Sequence, residues 1–310
     1  MSLSGVWPAV TTPFDAELKV DLPALERHLR WLFDSGCAGA VVLGSLGEAP
    51  TLDLEEKGQV IATAVRCGGP EHPVFVGISA LSTGEAVRLA RIAEHHGASG
   101  LMVLPPYVYH GDWRETRTHV AHVLGATSLP AMIYNNPVAY GTDILPAQIE
   151  EMVIDHPNLV AVKESSEDLR RLTDLTLRLG DRVDLFVGID DQVLEGIRLG
   201  ARGWVAGLAN ALPEESVRLF ELARSGDREK ALALYRWFLP LLRLDTGPKF
   251  VQQIKLVEQE LGVGNGLVRA PRLPLADAEL LGVRRLVGEA MGSRPPNLLP
   301  DPDPRREPRA

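Results

Sequence analysis

The chain contains 310 residues, of which 45% are hydrophobic and 24% are charged, proportions typical of folded globular proteins. Its net charge of −9 argues against nucleic acid and anionic membranes as the main partners. The two cysteines, Cys37 and Cys67, lack metal-ligand spacing, and neither a signal peptide nor a membrane-spanning apolar segment is visible. We therefore expect a cytoplasmic protein without a metal site.

Eight short apolar runs occupy residues 5–209, and each is followed by a pattern typical of a helix. The runs are continuous rather than alternating, as in parallel strands that are covered on both faces. Asp21 and Ser82 are predicted N-caps of two of the intervening helices. Eight such units predict an α/β protein with a (β/α)₈ TIM barrel. The eight runs are 5–12, 39–45, 73–79, 99–105, 130–135, 158–164, 183–189 and 203–209.

The strand pattern stops after residue 212, and four helical segments follow it. These segments are 213–225, 228–243, 247–262 and 275–290. We therefore expect a barrel over residues 1–212 that carries the active site and a small C-terminal helical extension over 213–292. The last residues, 293–310, are rich in proline and charge and predict a disordered tail.

Lysine is scarce in this chain, because only six of the 32 basic residues are lysines. Five of them fall on predicted helices and loops, where solvated charge explains them. Lys163 instead ends a predicted buried strand, where a lysine is costly unless it is paired or neutral. A neutral amine is a nucleophile toward ketones, so Lys163 is a candidate catalytic residue. The alternative interpretation is a structural ion pair with Glu164 or another carboxylate of the barrel.

Tyr134 ends the preceding strand and is predicted to be the neighbour of Lys163 across the sheet. A Schiff base forms by loss of a hydroxyl group and by proton transfers at carbon. A phenol within hydrogen-bond reach could carry those protons. Tyr134 and Lys163 together therefore indicate imine chemistry more strongly than either residue alone.

Asp190 and Asp191 stand directly before another helical pattern. Aspartate is a good N-cap, and we expect this role for the pair. Paired carboxylates that bind a metal ion are the alternative.

Six segments occur in an order and spacing that are specific when taken together. They are AVTTPF (9–14), GSLGE (44–48), IYNNP (133–137), VAVKES (160–165), GIDD (188–191) and GARGWVAGLAN (200–210). In this order they resemble the motifs of the dihydrodipicolinate synthase / N-acetylneuraminate lyase family of class I aldolases. The resemblance covers most of residues 5–275.

The resemblance implies roles for individual residues. Lys163 would form a Schiff base with the ketone of pyruvate or another 2-oxo acid, and Tyr134 would be the general acid and base. Ser45 would act with them and would bind the substrate carboxylate together with the backbone N–H of Leu46. The implied substrate-binding residues are Gly44, Ser45, Leu46, Gly188 and Val205. The reaction needs no metal or organic cofactor, and a homo-oligomer, either a tetramer or a dimer, is expected.

Three departures argue against the dihydrodipicolinate synthase reaction. Ser45 and Leu46 replace the two threonines of those synthases, so a relay hydroxyl is missing at Leu46. Ala139 stands where the synthases have an arginine for the second substrate's carboxylate. Val108 falls at the place of their interface tyrosine, which leaves open whether Tyr107 or Tyr109 joins the active site.

We therefore expect a lyase of 2-oxo acids, either a catabolic aldolase or a dehydratase. One alternative is a hydroxyproline-pathway deaminase. The segment NNPVAYG (135–141) of this chain resembles the corresponding segment of those enzymes. Dihydrodipicolinate synthase itself is another, and a barrel that binds a 2-oxo acid without turnover is the alternative outside the enzymes.

Overall fold

In the computed structural model, which describes residues 3–298, eight parallel strands are surrounded by helices. The strands are β1 Gly5–Pro8, β2 Ala40–Val42, β3 Val74–Ile78, β4 Gly100–Val103, β5 Ala131–Asn135, β6 Leu159–Glu164, β7 Asp184–Val187 and β8 Gly203–Ala206. The helices are α1 Leu22–Asp34, α2 Leu54–Gly68, α3 Thr83–His95, α4 Trp113–Leu124, α5 Pro137–Tyr140, α6 Pro146–Asp155, α7 Arg170–Leu179, α8 Val193–Arg198, α9 Pro213–Ser225, α10 Arg228–Leu242, α11 Phe250–Glu260 and α12 Asp277–Gly292. Each strand lies within one of the eight predicted runs.

The strands form one sheet in the order β1-β8-β7-β6-β5-β4-β3-β2. The backbone N–H of Val10 donates to the carbonyl of Val41 at 2.8 Å, which joins the first strand to the second. The sheet is thereby closed into a (β/α)₈ barrel, and the predicted fold class is confirmed. Parallel pairing throughout requires a crossover after every strand, which the helices supply.

Aromatic side chains fill part of the barrel interior. Trp7 packs edge-on against Phe75 and Phe186, with ring centroids 5.2 and 5.8 Å away, and all three rings are buried. A barrel of this size encloses a packed core rather than a pore. A substrate cavity therefore has to form at the strand ends.

The predicted helix starts at Asp21 and Ser82 are confirmed by hydrogen bonds. The Asp21 carboxylate accepts from the backbone N–H of Ala24 at 2.9 Å, and the Ser82 hydroxyl accepts from that of Glu85 at 3.3 Å. Each bond satisfies a backbone donor that lacks a partner in the first helical turn. The first bond fixes the start of α1 and the second that of α3.

The C-terminal helices divide into two groups. Helix α9 packs against β1 and α8 and so completes the outer ring, whereas α10 and α11 pack against α12. We propose that the barrel extends through Ser225 and that the extension begins with α10; limited proteolysis between α9 and α10 would test this division. Most of the predicted tail 293–310 lies outside the described residues. Within residues 3–298, no helix has the length and apolar character needed to cross a membrane.

Candidate active site

A cavity of about 480 Å³ opens at the C-terminal ends of the strands. Every site residue predicted from the sequence lies on its wall. These residues are Gly44, Ser45, Leu46, Tyr134, Lys163, Gly188 and Val205. They come from five different strand ends, which meet only because the barrel closes.

Lys163 projects from β6 beside Tyr134 of β5, its register partner across the sheet. Its Nζ atom lies 4.0 Å from the centroid of the Tyr134 ring, and the lysine is only 5% exposed. Within residues 3–298, Lys163 forms no ion pair. Glu164 instead accepts hydrogen bonds from Asn135 and Ser166. The alternative of a Lys163–Glu164 ion pair is therefore wrong, because successive strand residues point to opposite faces.

The Tyr134 hydroxyl is held by the turn that follows its own strand. It accepts a hydrogen bond from the Asn136 side-chain amide at 3.0 Å. The Asn136 carbonyl oxygen in turn accepts from the backbone N–H of Ala139 at 2.9 Å and caps the short helix α5. The helix cap and the position of the phenol are therefore coupled through one side chain.

Tyr140 is a site residue that the sequence analysis did not single out. It ends α5 and hydrogen-bonds to the hydroxyl of Ser45. Its ring meets that of Tyr134 edge-on at 5.8 Å, and the Tyr107 ring lies 5.7 Å away. Burial raises the pKa of Tyr140, so its hydroxyl stays protonated at neutral pH.

The structure separates the other two aromatic candidates. Tyr107 lines the cavity, whereas Tyr109 is 63% exposed and donates to Glu115. Val108 is exposed as well. Within this chain, therefore, only Tyr107 of the two tyrosines faces the site.

Gly188 is required by close packing beneath the lysine. A Cβ atom at this position would lie 2.7 Å from Cε of Lys163 and closer still to Oγ of Ser165. The Ser165 hydroxyl is buried and has no hydrogen-bond partner among the described residues. Glycine thus lets the lysine side chain lie across the end of β7.

The expectation that five of the six lysines are solvated is wrong for Lys255 and Lys57. Lys255, on α11, is buried and donates to Oε1 of Glu48 at 2.6 Å and to the carbonyls of Thr12 and Leu267. Lys57 is also buried, and its burial lowers its pKa. Lys57 lies on α2 and Lys255 on α11, and both helices turn these side chains inward.

Lys255 could have been identified from its spacing. Residues 251, 254, 255 and 258 share one face of α11, and two of them are apolar. A lysine and a glutamate on that face predict a buried polar contact. The contact that Lys255 makes is instead with Glu48, the last residue of the GSLGE turn, and it supports that turn.

Asp190 caps a different segment from the one predicted. Its carboxylate accepts hydrogen bonds from Nε1 of Trp204 and from the backbone N–H groups of Gly207 and Leu208, at 2.7 to 3.1 Å. Burial raises its pKa to about 6. The predicted cap of the helix after residue 191 is therefore wrong, because the barrel places Asp190 against the end of the neighbouring strand β8.

A protein-family model and a named relative both match nearly the whole chain. The family model described as "Dihydrodipicolinate synthetase family" matches residues 2–290. A 4-hydroxy-tetrahydrodipicolinate synthase from Methanoculleus marisnigri is 32% identical over 289 residues, which are 91% of this chain and 98% of the relative.

Solved structures of the same family share the fold of this chain. Dihydrodipicolinate synthase from Aquifex aeolicus superposes with a TM-score of 0.89 at 28% identity, covering 93% of this chain and 98% of that one. YagE is a prophage protein of the dihydrodipicolinic acid synthase family from E. coli K12, and its structure was solved with pyruvate. It superposes with a TM-score of 0.88 at 25% identity, covering 93% of this chain and 99% of YagE. This chain is an enzyme, a lyase of the class I aldolase type, and it belongs to the dihydrodipicolinate synthetase family.

Proposed function

We propose that this enzyme acts on pyruvate or another 2-oxo acid through a Schiff base on Lys163. The observation that carries the proposal is the desolvated Lys163 amine, which lies against Tyr134 on the cavity wall without an ion-pair partner among the described residues. An amine in that position is available to attack a ketone. The structure of YagE with pyruvate, a relative of similar fold, supports a 2-oxo acid as the ligand.

The two ends of the substrate would be held by different strand ends. The carboxylate would be bound by the Ser45 hydroxyl and the backbone N–H of Leu46, while the ketone carbon faces Lys163. Tyr134 would donate a proton to the hydroxyl group that leaves the carbinolamine, and its phenolate would then accept a proton from C3. Tyr140 is hydrogen-bonded to Ser45 and packs against the Tyr134 ring. It would therefore connect the carboxylate-binding serine with the general acid and base.

Within this reaction class we favour a catabolic aldolase or dehydratase. Ala139 lines the cavity, so the structure offers no guanidinium at that position for a second substrate's carboxylate. The second candidate is 4-hydroxy-tetrahydrodipicolinate synthase, because the similar proteins from Methanoculleus marisnigri and other organisms carry that name. Comparing turnover of sugar-derived 2-oxo acids with that of pyruvate plus aspartate semialdehyde separates the two.

We propose that the chain works as a homo-oligomer in a reducing compartment such as the cytoplasm. The exposed apolar side chains of Leu81, Val108 and Tyr109 follow two adjacent strands, which suits contact with a second copy. Cys37 and Cys67 are both free thiols. Light scattering that gives the mass of one chain, or fractionation that finds the protein outside the cytoplasm, would contradict these proposals.

Borohydride trapping tests the Schiff base directly. With pyruvate and borohydride, the wild-type protein should gain the mass of one reduced adduct, and peptide mapping should locate it at Lys163. Lys163→Ala should gain no mass and lose turnover, while it keeps the circular dichroism spectrum of the wild type. Lys19→Ala, which removes an exposed lysine, is the matched control. An adduct at any other lysine would contradict the proposal.

A further inference from the structure

The helical extension contributes a carboxyl group to the cavity. Asp245 lies in the turn Arg243–Asp245 between α10 and α11, and it lines the cavity together with Lys163. Its carboxyl group lies directly over Gly207, the residue after β8. A Cβ atom at position 207 would be 2.2 Å from Oδ1 of Asp245. Glycine at this position therefore allows the carboxyl group to reach the strand end.

Asp245 and Asp190 are neighbours with opposite hydrogen-bonding environments. The Asp190 carboxylate accepts hydrogen bonds from three N–H groups, and these bonds stabilise its charged form. Within residues 3–298, the Asp245 carboxyl group has no hydrogen-bond or ion-pair partner. Burial and the nearby Asp190 raise the pKa of Asp245 well above its usual range, against the opposing effect of Lys163. The three N–H donors favour the charged form of Asp190, while burial and that neighbouring charge favour the protonated form of Asp245.

The position of Asp245 fits the open side of the site. Tyr107, Tyr134 and Tyr140 occupy the side of the cavity at the ends of β4 and β5. The cavity also extends past the end of β8, where Gly207 and Asp245 line it, so a carbon chain whose carboxylate lies at Ser45 has room there. Glu167, another carboxylate of the cavity wall, is exposed to solvent and does not share this environment.

We propose, on the basis of the proposed imine at Lys163, that Asp245 is a second catalytic acid and that the substrate is a 2-oxo acid with a hydroxyl group on C4. The acid protonates that hydroxyl group as it leaves. The reaction is then elimination of water rather than cleavage of the C3–C4 bond, because cleavage needs a base at this hydroxyl group instead of an acid.

The electrons and protons balance through the cycle. Loss of the C3 proton to the Tyr134 phenolate turns the imine into an enamine. Its electron pair re-forms the C=N bond as the C4–O bond breaks, and the hydroxyl group takes the Asp245 proton and leaves as water. Water then adds to the conjugated imine and returns a proton to Asp245. The unsaturated 2-oxo acid departs and the Lys163 amine is regenerated.

Asp245→Asn separates the acid from the imine chemistry, because asparagine keeps the size and polarity of the side chain. Infrared difference spectra of wild type minus variant at neutral pH should show the carbonyl band of a protonated carboxyl group. A panel of 3-deoxy-2-oxo sugar acids with a C4 hydroxyl group is then compared for water loss and for pyruvate release. Asp174→Asn, on the exposed surface of α7, is the control.

The wild type should release the unsaturated product, and Asp245→Asn should do so at least about 100-fold more slowly. Borohydride trapping of pyruvate and deuterium exchange at its methyl group should persist in the variant. Absence of the infrared band, pyruvate release instead of water loss, or no water loss from any member of the panel would each overturn the role of Asp245. Failure of the wild type to trap pyruvate would instead overturn the proposed function.

Discussion

At the scale of single residues, the site combines an amine, a phenol and a hydroxyl group that the sequence motifs indicated, with a second phenol that they did not. Tyr140 lies six residues after Tyr134, and the short helix α5 folds it back over the cavity. Its hydroxyl group reaches Ser45 within the same chain. We propose that the Tyr140 hydroxyl group takes over part of the proton relay that Leu46 cannot supply.

Tyr140→Phe tests this relay. The variant keeps the ring packing against Tyr134 but removes the hydrogen bond to Ser45, so kcat should fall by about 10- to 100-fold. KM for the 2-oxo acid should rise less, since the backbone N–H of Leu46 remains. Steady-state kinetics of the wild type, Tyr140→Phe and the exposed control Tyr109→Phe measure the effect. Equal kcat in all three would remove Tyr140 from the mechanism.

At the scale of elements, α11 joins the extension to the barrel through buried charge. Lys255 of α11 donates its three hydrogen bonds to Glu48, Thr12 and Leu267. Thr12 follows β1 and Glu48 follows β2, so the lysine links the extension to the first two strand ends. Glu48 itself adopts a left-handed backbone conformation, with φ of 53°. The buried pair therefore holds the GSLGE turn in a conformation that a non-glycine residue rarely adopts.

Lys255→Met should be strongly destabilising. It leaves the buried Glu48 carboxylate without its ammonium partner; an uncompensated buried charge costs about 3–5 kcal/mol, and Arg272, 3.7 Å from the other carboxylate oxygen, offsets part of that loss. Urea unfolding of Lys255→Met, Glu48→Gln and the double variant would measure the coupling, and the double variant should recover part of the loss. Lys249→Met breaks the solvent-exposed pair with Glu279 and should change stability by less than about 1 kcal/mol. Similar losses in both lysine variants would contradict the assignment.

At the scale of the whole molecule, we expect stability to depend on pH through two buried groups whose pKa values are shifted in opposite directions. Burial raises the pKa of Glu258 to about 7 from an ordinary 4.5, and it lowers that of His28 to about 4 from 6.5. Stability contributed by Glu258 is complete below its unfolded pKa and is lost as pH rises through 7. Stability contributed by neutral His28 is present above 6.5 and is lost as pH falls toward 4.

Glu258→Gln isolates one side of this dependence. The Glu258 carboxyl group accepts from the Thr11 hydroxyl at 2.8 Å, and glutamine can keep that bond without taking a charge. The variant and the wild type should unfold alike below the unfolded pKa. The variant should become more stable by up to about 3 kcal/mol above the folded pKa. Thermal unfolding across the pH range measures this difference, and a difference independent of pH would show that folding does not shift the pKa of Glu258.

The sequence by itself determined the barrel, because continuous apolar runs separated by capped helices leave few other ways to cover both faces of every strand. It also determined Lys163, since a lysine at the end of a buried strand stands out against apolar neighbours. Tyr134 followed from adjacency, because consecutive strands of a barrel pair with each other.

Only the tertiary structure decided the rest of the site. Tyr140 and Asp245 meet their neighbours across long stretches of chain, and their local patterns are those of ordinary loops and helices. For Lys255 the spacing along α11 indicates a buried face, but it does not indicate the partner Glu48. The direction in which a helix or a turn presents a polar side chain depends on how that element packs on the barrel. Local sequence specifies the element, whereas its partner across the fold specifies which atoms meet.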